Sequence, residues 1–126
     1  MRNALLSLFL FIAVMIAVFF FNDSIINLCD NITDKGNEIA FCIMEDDLET
    51  SYYLSNELIN LLESKYILTS VYLNHNDFDN LLNESLKLSI YILNDDRSEA
   101  MASLNLLKYN VKHIRNLQIP KIENIF

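Results

Sequence analysis

Glycine and proline each occur once, at Gly36 and Pro120, and tryptophan is absent. Hairpins and sheets draw heavily on glycine and proline for their turns, and this chain has almost none of either to supply. A phosphate-cradling loop needs several glycines close together, so the nucleotide motifs built on one are excluded too. Basic residues are scarce, nine against seventeen acidic ones, for a net charge of −8, or −9 with Arg2 set aside. That balance disfavours binding to nucleic acid and to anionic headgroups, and suits a solvated body held off a negative surface. Cysteine is nearly missing as well. Cys29 and Cys42 on one helix would lie about 20 Å apart, too far to bridge. They read as idle or buried thiols, with cross-linking between protomers as the alternative.

Charge is also missing locally. From Ala4 to Phe21 there is no charged residue, no glycine and no proline, and one hydroxyl, on Ser7. As a helix this stretch rises about 27 Å, close to the hydrocarbon thickness of a bilayer. The Ser7 hydroxyl can bond back to its own helix. The lipid bilayer is therefore the expected partner of residues 4–21. A cleaved signal peptide is the weaker reading, because the apolar run passes straight into Phe19-Phe20-Phe21-Asn22 without a small-residue exit. A lipoprotein signal fits poorly, since Leu28 precedes Cys29. Arg2 and the amino terminus lie before the span, while Asp23, Asp30 and Asp34 follow it. Retention of positive charge inside predicts a cytoplasmic N-terminus and an extracytoplasmic chain from Asn22 onward, in a single pass of the cell membrane.

What remains is one small domain of about a hundred residues. Ile25, Cys29, Ile32, Gly36, Ile39 and Ile43 step by three and four, so the anchor is expected to continue as a stalk helix without a linker. Glu45-Asp46-Asp47 ends that pattern. A second helix is expected from about Leu48 to Leu73, with Leu48, Tyr52, Ser55, Leu58, Ile59, Leu62, Tyr66, Thr69 and Leu73 on its inner face. After the polar break at residues 74–77, Asn76 with Asp79 reads as the cap of a third helix lined by Phe78, Leu81, Leu82, Ser85, Leu88 and Ile92. Asn94-Asp95-Asp96 breaks the chain again. Arg97 to Leu117 forms a fourth helix lined by Ala100, Met101, Leu104, Leu107, Val111 and Ile114, and Pro120 stops it.

Ile43-Met-Glu-Asp-Asp and Ile92-Leu-Asn-Asp-Asp are the same punctuation, and aligning them sets Leu58 on Leu107 and Leu62 on Val111. The fold expected is all-α: an N-terminal transmembrane helix continuing into a small antiparallel bundle of about four helices, built as two helical hairpins. Its parts are an anchor over residues 1–22, an acidic helical bundle over 23–118 and a C-terminal tail over 119–126.

Candidate chemistry is thin. His75, Asp77 and Asp79 are the ligand candidates, in a His-x-Asp-x-Asp pattern, yet they sit where a helix cap is expected anyway. Glu45, Asp46 and Asp47 lack the spacing and the glycine of a calcium loop. His113, beside Lys112 and Arg115, complements a helix C-terminus. No serine, cysteine or threonine sits in a nucleophile elbow. No catalytic residue, cofactor or metal is expected, and the chain does not read as an enzyme. Sequons at Asn22, Asn31 and Asn83 arise readily by chance in an Asn-rich chain. In the tail, Ile122, Ile125 and Phe126 are apolar at a terminus that would otherwise fray. Either they fold back on the bundle or they dock into a partner.

His75-Asn-Asp-Phe-Asp, the Asn94-Asp-Asp break followed by Ala100, Leu106-Leu107-Lys108 and the closing Glu123-Asn-Ile-Phe126 carry a resemblance. Together they resemble a family of short, single-anchor membrane proteins of Gram-positive, spore-forming bacteria, known only as a domain of unknown function. The likeness covers nearly the whole chain in layout: apolar N-terminus, acidic helical body, closing Asn-Ile-Phe. It implies a membrane location and a helical fold, and no mechanism. The expected function is a non-catalytic, membrane-anchored interaction module that engages a protein partner or a second copy. The alternative is an extracytoplasmic sensor or binder of a small ligand or metal.

Overall fold

No residue between Phe21 and Ile25 interrupts a helix, and in a computed structural model, which describes residues 1–118, the first helix α1 runs unbroken from Arg2 to Met44. Ser24 and Thr33 donate their hydroxyls to the carbonyls of Phe20 and Cys29, both at 3.0 Å, so these polar side chains after the apolar stretch bond back to their own helix. Four more helices follow: α2 (Leu48–Ser64), α3 (Tyr66–Tyr72), α4 (His75–Leu93) and α5 (Arg97–Gln118). Among the described residues there is no strand.

α1 packs on α2 and α5, and α4 packs on the same two, which closes a ring of four helices. The core is the set of stripes the spacing predicts. Ile25, Cys29, Ile32, Ile39 and Ile43 of α1 meet Leu58 and Leu62 of α2, Phe78, Leu81, Leu88 and Ile92 of α4, and Leu104, Leu107, Val111 and Ile114 of α5. Gly36 is buried among them because α5 crosses there. A Cβ on it would meet Cγ and Cδ of Lys108 at 3.3 Å. Small residues line the other seams, and the buried hydroxyls of Ser51, Ser55 and Ser85 donate to carbonyls of their own helices at 2.7–3.0 Å. Among the described residues no buried side-chain polar atom lacks a partner.

The two Asp-Asp breaks are one structural device used twice. Asp46 and Asp95 adopt the left-handed conformation, φ 64° and 55°. The N–H of Asp47 donates to Cys42 O at 2.8 Å and that of Asp46 to Ile43 O at 3.2 Å. Asp96 to Tyr91 and Asp95 to Ile92 repeat both bonds at 2.8 and 3.1 Å. This is the double helix-ending bond that glycine usually provides. The second aspartate then caps the next helix: Thr50 N–H donates to Asp47 Oδ1 at 3.2 Å, and Glu99 N–H to Asp96 Oδ1 at 3.3 Å. Each break ends one helix and starts the next within three residues, and across it α1 packs back along α2 and α4 along α5.

Two expectations change. The second helix is not continuous to Leu73: it breaks at Lys65, and Tyr66, expected inside, is half exposed with its ring edge-to-face on Phe78 at 5.6 Å. Nothing local forbids a straight helix there; the redirected turn lets Tyr66 cap the aromatic end of the core. The cap of α4 is Asn74, whose side chain accepts from Asn76 N–H at 3.0 Å, so Asn76 is a donor and not the cap. Ile122, Ile125 and Phe126 lie outside the described residues, as does the tail from 119 onward.

Candidate functional site

Three regions present chemistry to the surroundings: the apolar half of α1, the end of the bundle distal to it and the foot nearest it.

The first is set by composition alone. An 18-residue window of α1 with mean hydropathy 3.0 has no residue buried inside the molecule. Leu5, Phe9, Ile12, Ile16 and Phe19 are all exposed, as are their neighbours on every side of the helix. A helix that is apolar all round suits a membrane span or the interior of a protein, and none of this window is buried inside the molecule. It is long and apolar enough to cross a membrane, the property shared by anchors and signal sequences.

The distal end gathers Glu45, Asp46, Asp47, Asp95, Asp96 and Arg97, all exposed. Arg97 pairs with Asp46 across the two turns and also with Asp95, Nε to Oδ1 at 3.5 Å. One guanidinium thus ties the two hairpins together where both backbones are left-handed. The bond from Thr50 holds the Asp47 carboxyl below the usual carboxylate range. Among the described residues no three His, Cys, Asp or Glu side chains converge as metal ligands. His75 and Asp79 are exposed and Asp77 half-buried in the first turn of α4, so the structure does not gather them into a ligand set. His113 is exposed on α5.

Cross-helix pairs fix the register between these ends. Lys35 Nζ lies 3.1 Å from Glu57 Oε2, and with the Tyr53 hydroxyl it holds that carboxyl below its ordinary range. Arg115 Nε lies 2.7 Å from Asp30 Oδ1, and Lys108 Nζ donates to Asn37 Oδ1 at 3.2 Å. Cys29 is buried beside the Arg115 pair. Burial, with the Asp30 charge adding to it and Arg115 opposing, pushes its thiol up to about 11, so it is held as neutral SH. Cys42 is half-buried, and both thiols are free.

Between α1 and α2 near the distal end lies an open groove of about 490 Å³, lined by Asn37, Glu38, Phe41, Cys42, Thr50 and Leu54. Phe41 is 64% exposed beside it. The periodicity of α1 could not show this groove, because Phe41 falls on the face opposite its core stripe. At the foot, Lys65 shares a smaller recess with Ser24, Asn27, Leu28 and Asn31.

The family model for a domain of unknown function, DUF4363, matches residues 19–125. It begins inside the last turn of the apolar stretch and takes in every helix of the bundle. No curated protein and no solved structure matches.

Proposed function

The chain belongs to the family of domains of unknown function designated DUF4363, and from that premise we propose that it is a non-catalytic, membrane-anchored interaction module. In this reading α1 spans the cell membrane once with its N-terminus in the cytoplasm, and the bundle works outside. The observation that carries the reading is the continuity of α1: one helix passes from an apolar window with no buried residue into the buried stripe Ile25–Ile43 with no linker. Whatever the bundle engages is thereby held at fixed height and orientation over the bilayer. Arg2 before the span and Asp23, Asp30 and Asp34 after it support the direction of crossing. The absence of a glycine-rich loop and of a nucleophile elbow in the sequence supports a binding role over a catalytic one. The groove beside Phe41 offers an apolar surface suited to a helix of another protein chain.

Protease treatment of intact cells making the full-length chain tests the topology. Digestion of the region after Asn22, with the product otherwise found in carbonate-washed membranes, is the expected result. Protection of that region, or recovery of a soluble product shortened by its first twenty or so residues, overturns it. A photo-cross-linking residue in place of Phe41 tests the partner: adducts of one discrete mass are expected, and none from the buried position Leu58.

A further inference from the structure

The antiparallel register places the start of α3 at the end of the bundle nearest the apolar stretch of α1. Lys65, which opens α3, lines the same recess as Ser24, Asn27, Leu28 and Asn31 of α1. Those residues lie three to ten positions beyond Phe21, so α3 begins about 5–15 Å above the end of the apolar stretch. A headgroup layer is on the order of 5–8 Å deep on each side of the hydrocarbon. From Lys65 the chain crosses to the foot of α4, where Tyr66 meets Phe78. On one face of this short helix Thr69 is buried; on the opposite face Ile67 is 80% exposed and Val71, one turn on, 77%. No acidic residue occurs between Glu63 and Asp77, and the exposed Lys65 and half-exposed Tyr66 flank the apolar pair. Leu117, near the foot end of α5 by the pairing of Arg115 with Asp30, is 56% exposed. The clustered acids of the two turns stand at the far end of the bundle.

We propose that α3 is a second, peripheral membrane contact, in which Ile67 and Val71 rest in the headgroup–acyl boundary of the bilayer that Ala4–Phe21 spans. This rests on the anchored reading above. Isoleucine and valine at that depth leave water without leaving the protein surface, and a lysine and a tyrosine beside them are suited to the headgroup level. The acidic body as a whole is repelled by an anionic surface; the acids of the two turns are held away from it, and between Glu63 and Asp77 no acid accompanies the exposed apolar side chains. Two contacts, one spanning and one lateral, stop the bundle from pivoting about α1.

The chain has no tryptophan, so a single introduced one reports alone. Full-length Phe11→Trp, Ile67→Trp and Tyr53→Trp variants are reconstituted in vesicles of mixed zwitterionic and anionic phospholipid, with and without spin-labelled acyl chains. Strong quenching of Phe11→Trp, clear quenching and a blue-shifted emission for Ile67→Trp, and neither for Tyr53→Trp is the expected pattern. With Phe11→Trp quenched, an Ile67→Trp signal as unquenched as Tyr53→Trp overturns the contact and leaves the anchor standing. A blue shift without quenching overturns it too, since protein and not lipid would then cover α3. Equal quenching at positions 67 and 53 overturns the upright geometry. An unquenched Phe11→Trp defeats the anchor itself.

Discussion

The two halves of α1 share one helix and little else. Residues Ala4–Phe21 are apolar on every side and buried nowhere within the molecule, whereas from Ile25 to Ile43 the apolar residues keep to one stripe and that stripe is buried. The backbone is the same in both, so the difference lies in the side chains and, in the reading proposed above, in what surrounds them. Lipid contacts all faces of a helix equally and asks only for apolar side chains, while a bundle contacts one face and asks for shape.

The contrast makes graded predictions. The largest concerns truncation. Ile32→Ala, at a fully buried site, is expected to destabilise the bundle by about 2–5 kcal/mol in denaturant melts of the detergent-solubilised chain. Ile12→Ala in the exposed half should change the same melts by less than about 0.5 kcal/mol. Equal effects would mean that residues 4–21 pack on protein.

The second concerns pH. Ala4–Phe21 holds no ionisable group, but the buried stripe holds Cys29, whose thiol is pushed from 9.0 to about 11 by burial, then by Asp30. The folded state therefore keeps a proton that the unfolded chain gives up. The sign follows: Cys29's contribution is complete below pH 9 and is lost as pH rises from 9 through about 11. A loss of about 2–3 kcal/mol is expected. Melts of the wild type and Cys29→Ala should converge across that window; parallel curves would remove Cys29 as the cause.

The smallest effect concerns the one glycine. Gly36→Ala gains helix propensity, and the new methyl group need only displace the flexible stem of Lys108 by a few tenths of an ångström. A stabilisation of about 0.5–1 kcal/mol is expected, seen as a melting temperature a few degrees higher. A lower melting temperature would show that α5 cannot yield at the crossing.

Much of this was legible in the residues. The stripe from Ile25 to Ile43, the Phe78–Ile92 face and the Ala100–Ile114 face were read from spacing and are buried. The likeness between Ile43–Asp47 and Ile92–Asp96 proved to be a repeated turn, with matching hydrogen bonds and matching left-handed aspartates. The candidate site was far less legible. His75, Asp77 and Asp79 have the composition of a ligand set, but helical geometry turns the half-buried Asp77 away from the face that the exposed His75 and Asp79 share. Phe41 and the pair Ile67 and Val71 carry no periodic signal, because exposure on an otherwise polar face depends on which helices stand beside it.

By itself the sequence determined where helices form, which face of each turns inward and that the first eighteen apolar residues suit lipid. Those are local properties, set by spacing along one strand of chain and by the solvation of its side chains. Tertiary structure alone decided the break at Lys65, the close crossing at Gly36, the Arg97 and Arg115 ties between distant segments, and the recess that Lys65 shares with the foot of α1. Each of these depends on contacts between residues far apart in the chain, about which a period of three or four residues carries no information.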